Sequence, residues 1–370
     1  MRHRVVHVVV AGEIGGAERM LAELASRPDE SGADHTIALF TPDAKLRDFF
    51  TSYGIKIIAR NGVRESIVTT LQHAFGHEDL NWLCAVLKSE QATIVQLHTF
   101  GSQVLGARAA IKQRLPFVRT EHSTRVYRDI SCIPFSRWSL ARAAAVVAVG
   151  DYIAGVVRPH LRHNQRMFVV RNGVDTNRFS PVANYAQGHA FRFLLAGRLE
   201  HRKGVDIALR AVAQAPTITL DIAGDGEDRA KLEQLAKRLG VSDRVRFLGY
   251  LADVRAAIGD VDAMLSSSRT EGLPVGLIEA MACERPVLAP PVGGIPEVVI
   301  NDQTGWLTDN LSVEAIATKM QQVAANREKC RELGKSARQW AVANASIEAM
   351  RAGYGAVYSA IDSERRTPRM

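Results

Sequence analysis

Two glutamates eight residues apart, Glu271 and Glu279, flank a Leu-Pro step in the stretch SSSRTEGLPVGLIEAMACERPVLAPPVGGIPEVV, Ser266–Val299. AMLSSS reads as a strand, RTEGLP as its exit loop, and VGLIEAMAC as a helix with Pro274 near its first turn, where proline is tolerated. A helix start carries free N–H groups and the positive end of the helix dipole, so it can hold an anion. A carboxylate beside a bound phosphate is repelled by it and needs other partners, which hydroxyl groups supply. Taken alone, Glu279 is equally an ordinary surface glutamate. Seventy residues earlier, in LLAGRLEHRKG, a strand ends at Gly197 and Arg198 and Lys203 follow. An arginine fork and a lysine point charge at a strand end suit a phosphate, though two solvated surface cations fit the same pattern. A diphosphate clamp beside two hydroxyl-seeking acids describes a sugar nucleotide, one acid for the sugar and one for the ribose.

Other candidates lie in the first half. Gly15 and Gly16, in AGEIGGAERM, fall between a first strand and a helix, where a glycine pair lets backbone approach a ligand or simply makes a tight turn. His98 in QLHTF and His122 in TEHS both follow strands and are expected to face the same ligand side. GDGEDR, Gly224–Arg229, has Arg229 where a dinucleotide fingerprint needs its third glycine, and it follows an internal strand, so it is read as a strand-to-helix turn. No P-loop pattern and no Asp-x-Asp metal motif is read in the sequence, so no metal and no cofactor are expected.

The elements that position these residues are short apolar runs alternating with helical patterns. RVVHVVV, HTIALFT, IKIIAR, TIVQLHT, FVRTEH, AVVAVG and MFVVRNG read as strands buried on both faces, as in a parallel sheet covered by helices. After a polar break at Asp175–Ala190 the alternation restarts with FRFLLAG, ITLDIAG, VRFLGY, DAMLSSS and RPVLAP. GVDIALRAVAQA and EDRAKLEQLAKRLG are amphipathic helices, the second ending in Gly240. The chain therefore reads as two open α/β domains in tandem, which suits its 370 residues. Ligands of such sheets bind beyond the carboxyl ends of the strands.

Composition, 46% apolar and 23% charged, is that of a soluble globular protein, and no apolar run approaches the roughly 20 residues of a spanning helix. The N-terminal basic and apolar residues imitate a signal peptide, but His7 and Glu13 interrupt them and the run is read as a buried strand. Cys84, Cys132, Cys283 and Cys330 show neither metal nor disulfide spacing, which fits a reducing cytoplasm. Net charge is +8, and Phe100–Arg166 alone holds eleven Lys or Arg against three Asp or Glu. Within it, Arg125, Arg128, Arg137 and Arg142 alternate with Val126, Tyr127, Ile130, Ile133, Phe135 and Trp138, as a membrane-surface segment requires. No nucleic-acid-binding motif accompanies the charge.

Together the motifs resemble the family-4 retaining glycosyltransferases of the GT-B fold, over nearly the whole chain. GGAE looks like their N-terminal glycine loop, VRNGVDTNRFSP their exit from the first domain, AGRLEHRKG their diphosphate loop, and EGLPVGLIEAMACERPVLA with VGGIPEVV their Glu-x7-Glu region. One departure is Glu-Gly-Leu-Pro where many members have Glu-Gly-Phe-Gly. The resemblance implies two Rossmann-like domains facing each other across a cleft: an acceptor domain at 1–175, a linker at 176–190, a nucleotide-sugar domain at 191–340, and a final helix at 341–370 packing back on the first domain. It also implies that Arg198 and Lys203 hold the donor diphosphate, that Glu271 bonds the transferred sugar and Glu279 the ribose, and that backbone at Gly272, Leu273 and Pro274 lies against sugar and phosphate. Gly15, Gly16 and His98 fall on the acceptor side, and His122 joins the catalytic group. The expected reaction is metal-independent, retaining transfer from a UDP-, GDP- or ADP-sugar to a glycan acceptor. A lipid-linked acceptor at an anionic membrane surface, in cell-surface polysaccharide or lipopolysaccharide synthesis, is the expectation. A soluble small-molecule acceptor and an inactive nucleotide-sugar-binding homologue are the alternatives.

Overall fold

The computed structural model describes residues 2–11, 14–26, 32–41, 43–61, 75–127, 129, 132–181 and 190–366. The chain divides into two compact units, one running to Gly173 and taken up again from Ile347, the other spanning Val174–Ser346.

Among the described residues the first unit has seven strands, β1 (Arg4–Val10), β2 (Asp34–Thr41), β3 (Lys56–Asn61), β4 (Ile94–Leu97), β5 (Phe117–Glu121), β6 (Ala145–Ala148) and β7 (Met167–Val169). They form one sheet in the order β3-β2-β1-β4-β5-β6-β7, every pairing parallel. The Val-, Ile- and Ala-rich runs take this form because helices cover both faces, leaving no polar side to alternate with. The helix Ile347–Arg366 belongs to this unit. Its Tyr354, Val357 and Tyr358 are buried in one apolar cluster with Val5, Ile94, Val118 and Val147. Tyr358 Oη donates to Gln96 Oε1, and Arg166 Nη1 donates to Ala360 O at 2.6 Å.

The second unit repeats the plan with β8 (Phe191–Ala196), β9 (Ile218–Ala223), β10 (Val245–Gly249), β11 (Ala263–Leu265), β12 (Val287–Ala289) and β13 (Gly305–Leu307), in the all-parallel order β10-β9-β8-β11-β12-β13. The strand β13 is not legible in the sequence, because GWL is too short to show a period; Gly305 fits there since a Cβ would stand 2.3 Å from Val287 O. Both expected helices form, Val205–Gln214 and Arg229–Arg238, and Gly240 takes a left-handed φ of +67° just past the second. Of the residues read as a linker, 182–189 lie outside the described residues. Thr176 and Phe179 are docked in this unit: Phe179 is buried, and the carbonyls of both accept from Arg338.

The order reverses between β1 and β4 in the first sheet and between β8 and β11 in the second. At such a switch point the flanking loops diverge and leave a crevice beyond the carboxyl ends of the strands.

Candidate functional site

In the second unit the crevice lies between the loop after β8 and the loop after β11. The β8 loop passes through Arg198, makes one tight turn at His201–Lys203, and enters the helix Val205–Gln214 through Gly204. Gly204 is required there: its φ is +63°, and a Cβ would stand 1.9 Å from Ser267 O. The two loops are therefore pressed together, backbone on backbone. Arg269 holds them by a fork onto Asp206, 2.8 Å at each oxygen, and by donation to His201 O at 2.7 Å. The same fork draws the Asp206 carboxyl below the usual range.

This contact delivers Lys203 to Glu271, sixty-eight residues on. Lys203 Nζ donates to Glu271 Oε1 at 2.6 Å, Ser268 Oγ donates to the same oxygen at 2.7 Å, and Arg202 Nη1 lies 3.9 Å from Oε2. The carboxylate is 7% exposed. The Lys203 stem runs over Gly197, where an added Cβ would meet its Cε at 3.5 Å. Arg198 is exposed at the crevice.

Gly272, Leu273 and Pro274 lead from Glu271 into the helix Val275–Ala282, with Pro274 at its N-cap rather than inside the first turn. No side chain caps this helix, and a Cβ on Gly276 would meet nothing within 4 Å. An anion thus has open space at the positive end of the helix dipole, although Val275 N–H already donates to Leu273 O and Leu277 N–H to Pro274 O. Glu279 lies one turn inside, half-buried. Behind it, the turn after β12 closes onto the Glu271 loop: Cβ atoms on Gly293 and Gly294 would lie 1.9 and 2.0 Å from the carbonyl oxygens of Glu271 and Gly272. GDGEDR is a strand-to-helix turn whose glycines make room for the same region, since Cβ atoms on Gly224 and Gly226 would strike Gly197 O and Leu199 O.

Asp260 and Asp262 do have Asp-x-Asp spacing, which corrects the reading that the sequence holds no such pattern. They stand at the opposite end, before β11, where Asp262 accepts from the Arg192 N–H at 2.9 Å and from Arg327 at 2.7 Å. Among the described residues no group of three His, Cys, Asp or Glu is arranged to hold a metal.

In the first unit, Gly15 and Gly16 begin the helix Gly16–Ala25 beside the switch point, both exposed. Neither has a left-handed φ; a Cβ on Gly16 would meet nothing, while one on Gly15 would stand 3.0 Å from Glu18 Oε2, so Gly16 alone leaves open space. His98 and His122 end neighbouring strands and stack, His98 Nδ1 lying 3.3 Å from His122 Nε2. Sequence reasoning missed that the contact continues to His7 at 3.0 Å and from there to His35 at 2.9 Å. The available signal was His7 itself, the one polar residue among the valines of Val5–Val10. Burial holds the His122 imidazole down at about 4, and burial with neighbouring rings holds His7 and His98 well below the ordinary range.

The basic window is less exposed than its composition implies. Arg119 is fully buried, paired with Glu121 at 2.7 Å and donating to Ser136 O and Ser139 Oγ. Arg137 and Arg142 are exposed on and just after the helix Ile133–Leu140, Arg142 stacking on Trp138. Phe135 there meets the exposed ring of Phe75. The Arg125 side chain, Arg128 and Ile130 lie outside the described residues. Among the described residues no helix is long and apolar enough to cross a membrane.

Two family models match the chain in tandem, Glycosyltransferase Family 4 over residues 14–178 and Glycosyl transferases group 1 over residues 182–340. Among curated relatives, a GDP-mannose-dependent alpha-(1-6)-phosphatidylinositol monomannoside mannosyltransferase of Mycolicibacterium smegmatis is 28% identical over 288 residues, 69% of this chain and 75% of that protein. An N-acetyl-alpha-D-glucosaminyl L-malate synthase of Bacillus anthracis is 28% identical over 246 residues, 63% of this chain and 65% of that protein. Among solved structures, Anabaena HepE in complex with UDP and glucose superposes with a TM-score of 0.83 at 20% identity, covering 97% of this chain and all of that one.

Proposed function

Because the chain belongs to the group 1, family 4 glycosyltransferases and has their GT-B fold, we propose that it moves a sugar from a nucleoside diphosphate sugar to a glycan acceptor with retention of anomeric configuration. One observation carries the reading of the donor site: Lys203 and Glu271, far apart in sequence, meet at 2.6 Å beside an uncapped helix start at the switch point of the second sheet. A cation, an acid and the positive end of a helix dipole converge there, and a sugar diphosphate offers a partner to each.

In this reading Arg198, Lys203 and the helix start take the diphosphate, the backbone of Gly272–Pro274 lies against it, Glu271 accepts from sugar hydroxyls and Glu279 from the ribose. As the glycosidic bond breaks, negative charge builds on the leaving diphosphate, and fixed positive groups stabilise it without reorganising. No metal is required by this arrangement. The acceptor hydroxyl attacks from the face the diphosphate leaves, and the departing phosphate takes its proton. Gly15, Gly16, His98 and His122 serve the acceptor side. The relatives include a GDP-mannose-dependent phosphatidylinositol monomannoside mannosyltransferase and an N-acetyl-alpha-D-glucosaminyl L-malate synthase, and the similar HepE structure holds UDP and glucose. The exposed Arg137 and Arg142 beside the Phe75–Phe135 pair favour a lipid-linked acceptor at the cytoplasmic membrane face, as in polysaccharide or lipopolysaccharide assembly.

Nucleotide release from a panel of UDP-, GDP- and ADP-sugars, with and without EDTA, tests the proposal. One donor should be turned over, and EDTA should leave the rate unchanged. Release from none, with the protein folded, would favour an inactive binding homologue; loss in EDTA with recovery in magnesium would place a metal in the reaction.

A further inference from the structure

Four histidines of the first unit stand in one row, ring to ring. His35 Nδ1 lies 2.9 Å from His7 Nε2, His7 Nδ1 3.0 Å from His98 Nε2, and His98 Nδ1 3.3 Å from His122 Nε2. Sheet register explains the row. His7 is level with Ile37 on β2 and with Gln96 on β4, and Leu97 is level with Arg119 on β5. Side chains two residues apart on a strand share a face. The row is therefore a diagonal on one face of β2, β1, β4 and β5, each ring two residues nearer the carboxyl edge than the last. His122 ends it at the edge where ligands of such a sheet bind. His35, at the other end, is among the residues lining a cavity of about 440 Å³, with Arg4, Asp34, Lys56 and Glu90. That cavity is large and polar enough to admit water.

Protons can be counted along the row. Each imidazole has two nitrogens, so four rings have eight, and the three contacts use six of them. A contact holds one proton, because two lone pairs or two N–H groups repel at these distances. Three contacts and two ends thus have places for five protons, and four neutral rings carry four. There is room for one more proton and for no second, since a sixth would put two N–H groups into one contact. The fifth proton has no fixed address: whichever ring is charged, the others fill every contact by donating away from it. The neutral row likewise has two forms, all Nε2–H or all Nδ1–H, and the contacts do not choose between them.

We propose that the row is a one-proton relay between the two edges of the first sheet. A proton from water forms an N–H at His35 Nε2, each ring passes the proton on its far nitrogen to the next ring, and the N–H of His122 Nδ1 breaks as that proton leaves. One N–H is made and one is broken, and the row changes from all Nδ1–H to all Nε2–H; the reverse passage restores it. His122 thereby gives a proton to, or takes one from, a group at the carboxyl edge, while the balancing proton crosses at His35 and no charge stays buried. Burial suits a row that returns to neutral: His7 is fully buried and His98 nearly so, and burial with neighbouring rings holds both imidazoles well below the ordinary range. The helix Ile347–Arg366 adds Tyr358, whose ring is 6.4 Å from that of His35 and whose hydroxyl donates to Gln96, and His3 beyond it lies 3.6 Å from Asp362. The relay goes beyond the transfer reading and does not depend on it.

Histidine-selective 15N NMR of the whole protein at pH 7 tests the relay. Each contact passes on the choice made at the last, so all four rings should show the same fraction of the Nε2–H tautomer. The ring N–H of His7 should also exchange with D2O faster than the backbone amides of β1 beside it, which exchange only when the strand opens. Unequal tautomer fractions, or a His7 ring proton no faster than those amides, would overturn the relay. As pH falls, the four rings should gain charge at one common midpoint, their cationic fractions together reaching a single proton. Two rings fully charged in the folded protein would overturn it as well, and the pH 7 spectra decide if the protein unfolds before any ring charges. His7→Asn cuts the row between His35 and His98. The tautomer fraction of His35 should then part from that of His98, while His98 and His122 stay equal; a His35 that still matched them would show that the sharing does not run through the ring contacts. The wild-type spectra decide if that variant does not fold.

Discussion

Lys203→Ala should harm this protein in two separable ways. Glu271 is 7% exposed and its Oε1 accepts from Lys203 and Ser268, while Arg202 stands 3.9 Å from Oε2. Removing one partner of a buried ion pair costs about 3–5 kcal/mol, because the remaining charge is left uncompensated. Here the Lys203 side chain is 22% exposed and Ser268 and Arg202 remain, so about 2 kcal/mol is the better figure. In a unit of this size that lowers the melting temperature by roughly 4–8 °C. Loss of the diphosphate cation should also cut turnover by about a hundredfold, near 3 kcal/mol in the barrier. Arg198→Ala, exposed, should show the turnover loss alone. Adding Glu271→Gln to Lys203→Ala removes the stranded charge and should restore most of the melting temperature but none of the turnover. Calorimetry and nucleotide release on the four proteins check this. If Lys203→Ala melts with the wild type, the pair carries no stability; if the double variant regains turnover, Lys203 is not the diphosphate ligand.

Acid should destabilise the first unit well above the carboxylate range. His122 is held at about 4 in the fold against about 6.5 unfolded, so between those values the unfolded chain binds more protons and stability falls as pH falls. The full effect, reached only below pH 4, is of order 3 kcal/mol for His122 alone, and His7 and His98 shift the same way; melting curves at pH 7, 5.5 and 4.5 should show its onset, and His122→Asn should flatten it. Gly204→Ala should destabilise the second unit by at least about 2 kcal/mol, since the Cβ meets Ser267 O at 1.9 Å and φ is +63°, whereas Gly276→Ala should melt normally and lose donor affinity, a contrast read by calorimetry beside donor titration. Anionic liposomes should co-sediment the protein at low salt and release it as salt rises, and changing Arg125, Arg128 and Arg137 together to Ser should weaken the binding; indifference to such liposomes would point to a soluble acceptor.

Local chemistry is what the sequence carried. Apolar runs such as RVVHVVV and FRFLLAG are strands because a parallel sheet covered on both faces tolerates nothing else, and twelve of the thirteen strands among the described residues follow from that. Glycine pairs, the proline at a helix start, and cations after a strand end are likewise properties of a few neighbouring residues, so Arg198, Lys203, Glu271 and Glu279 were legible as candidates with their loops. What the sequence by itself did not hold was any statement that crosses the sheet. Lys203 finds Glu271 only because β8 and β11 are neighbours and Gly204 lets backbone touch Ser267. Arg119 counts as surface charge in a composition but is buried on Glu121, and Asp260 and Asp262 have a metal-like spacing at the wrong edge of their sheet. The histidine diagonal is the clearest instance: each ring is unremarkable in its own strand, and only the order β2-β1-β4-β5 with its register sets four rings within hydrogen-bond reach. Strand order and register are decided by packing among residues distant in the chain, and no local pattern of side chains encodes them.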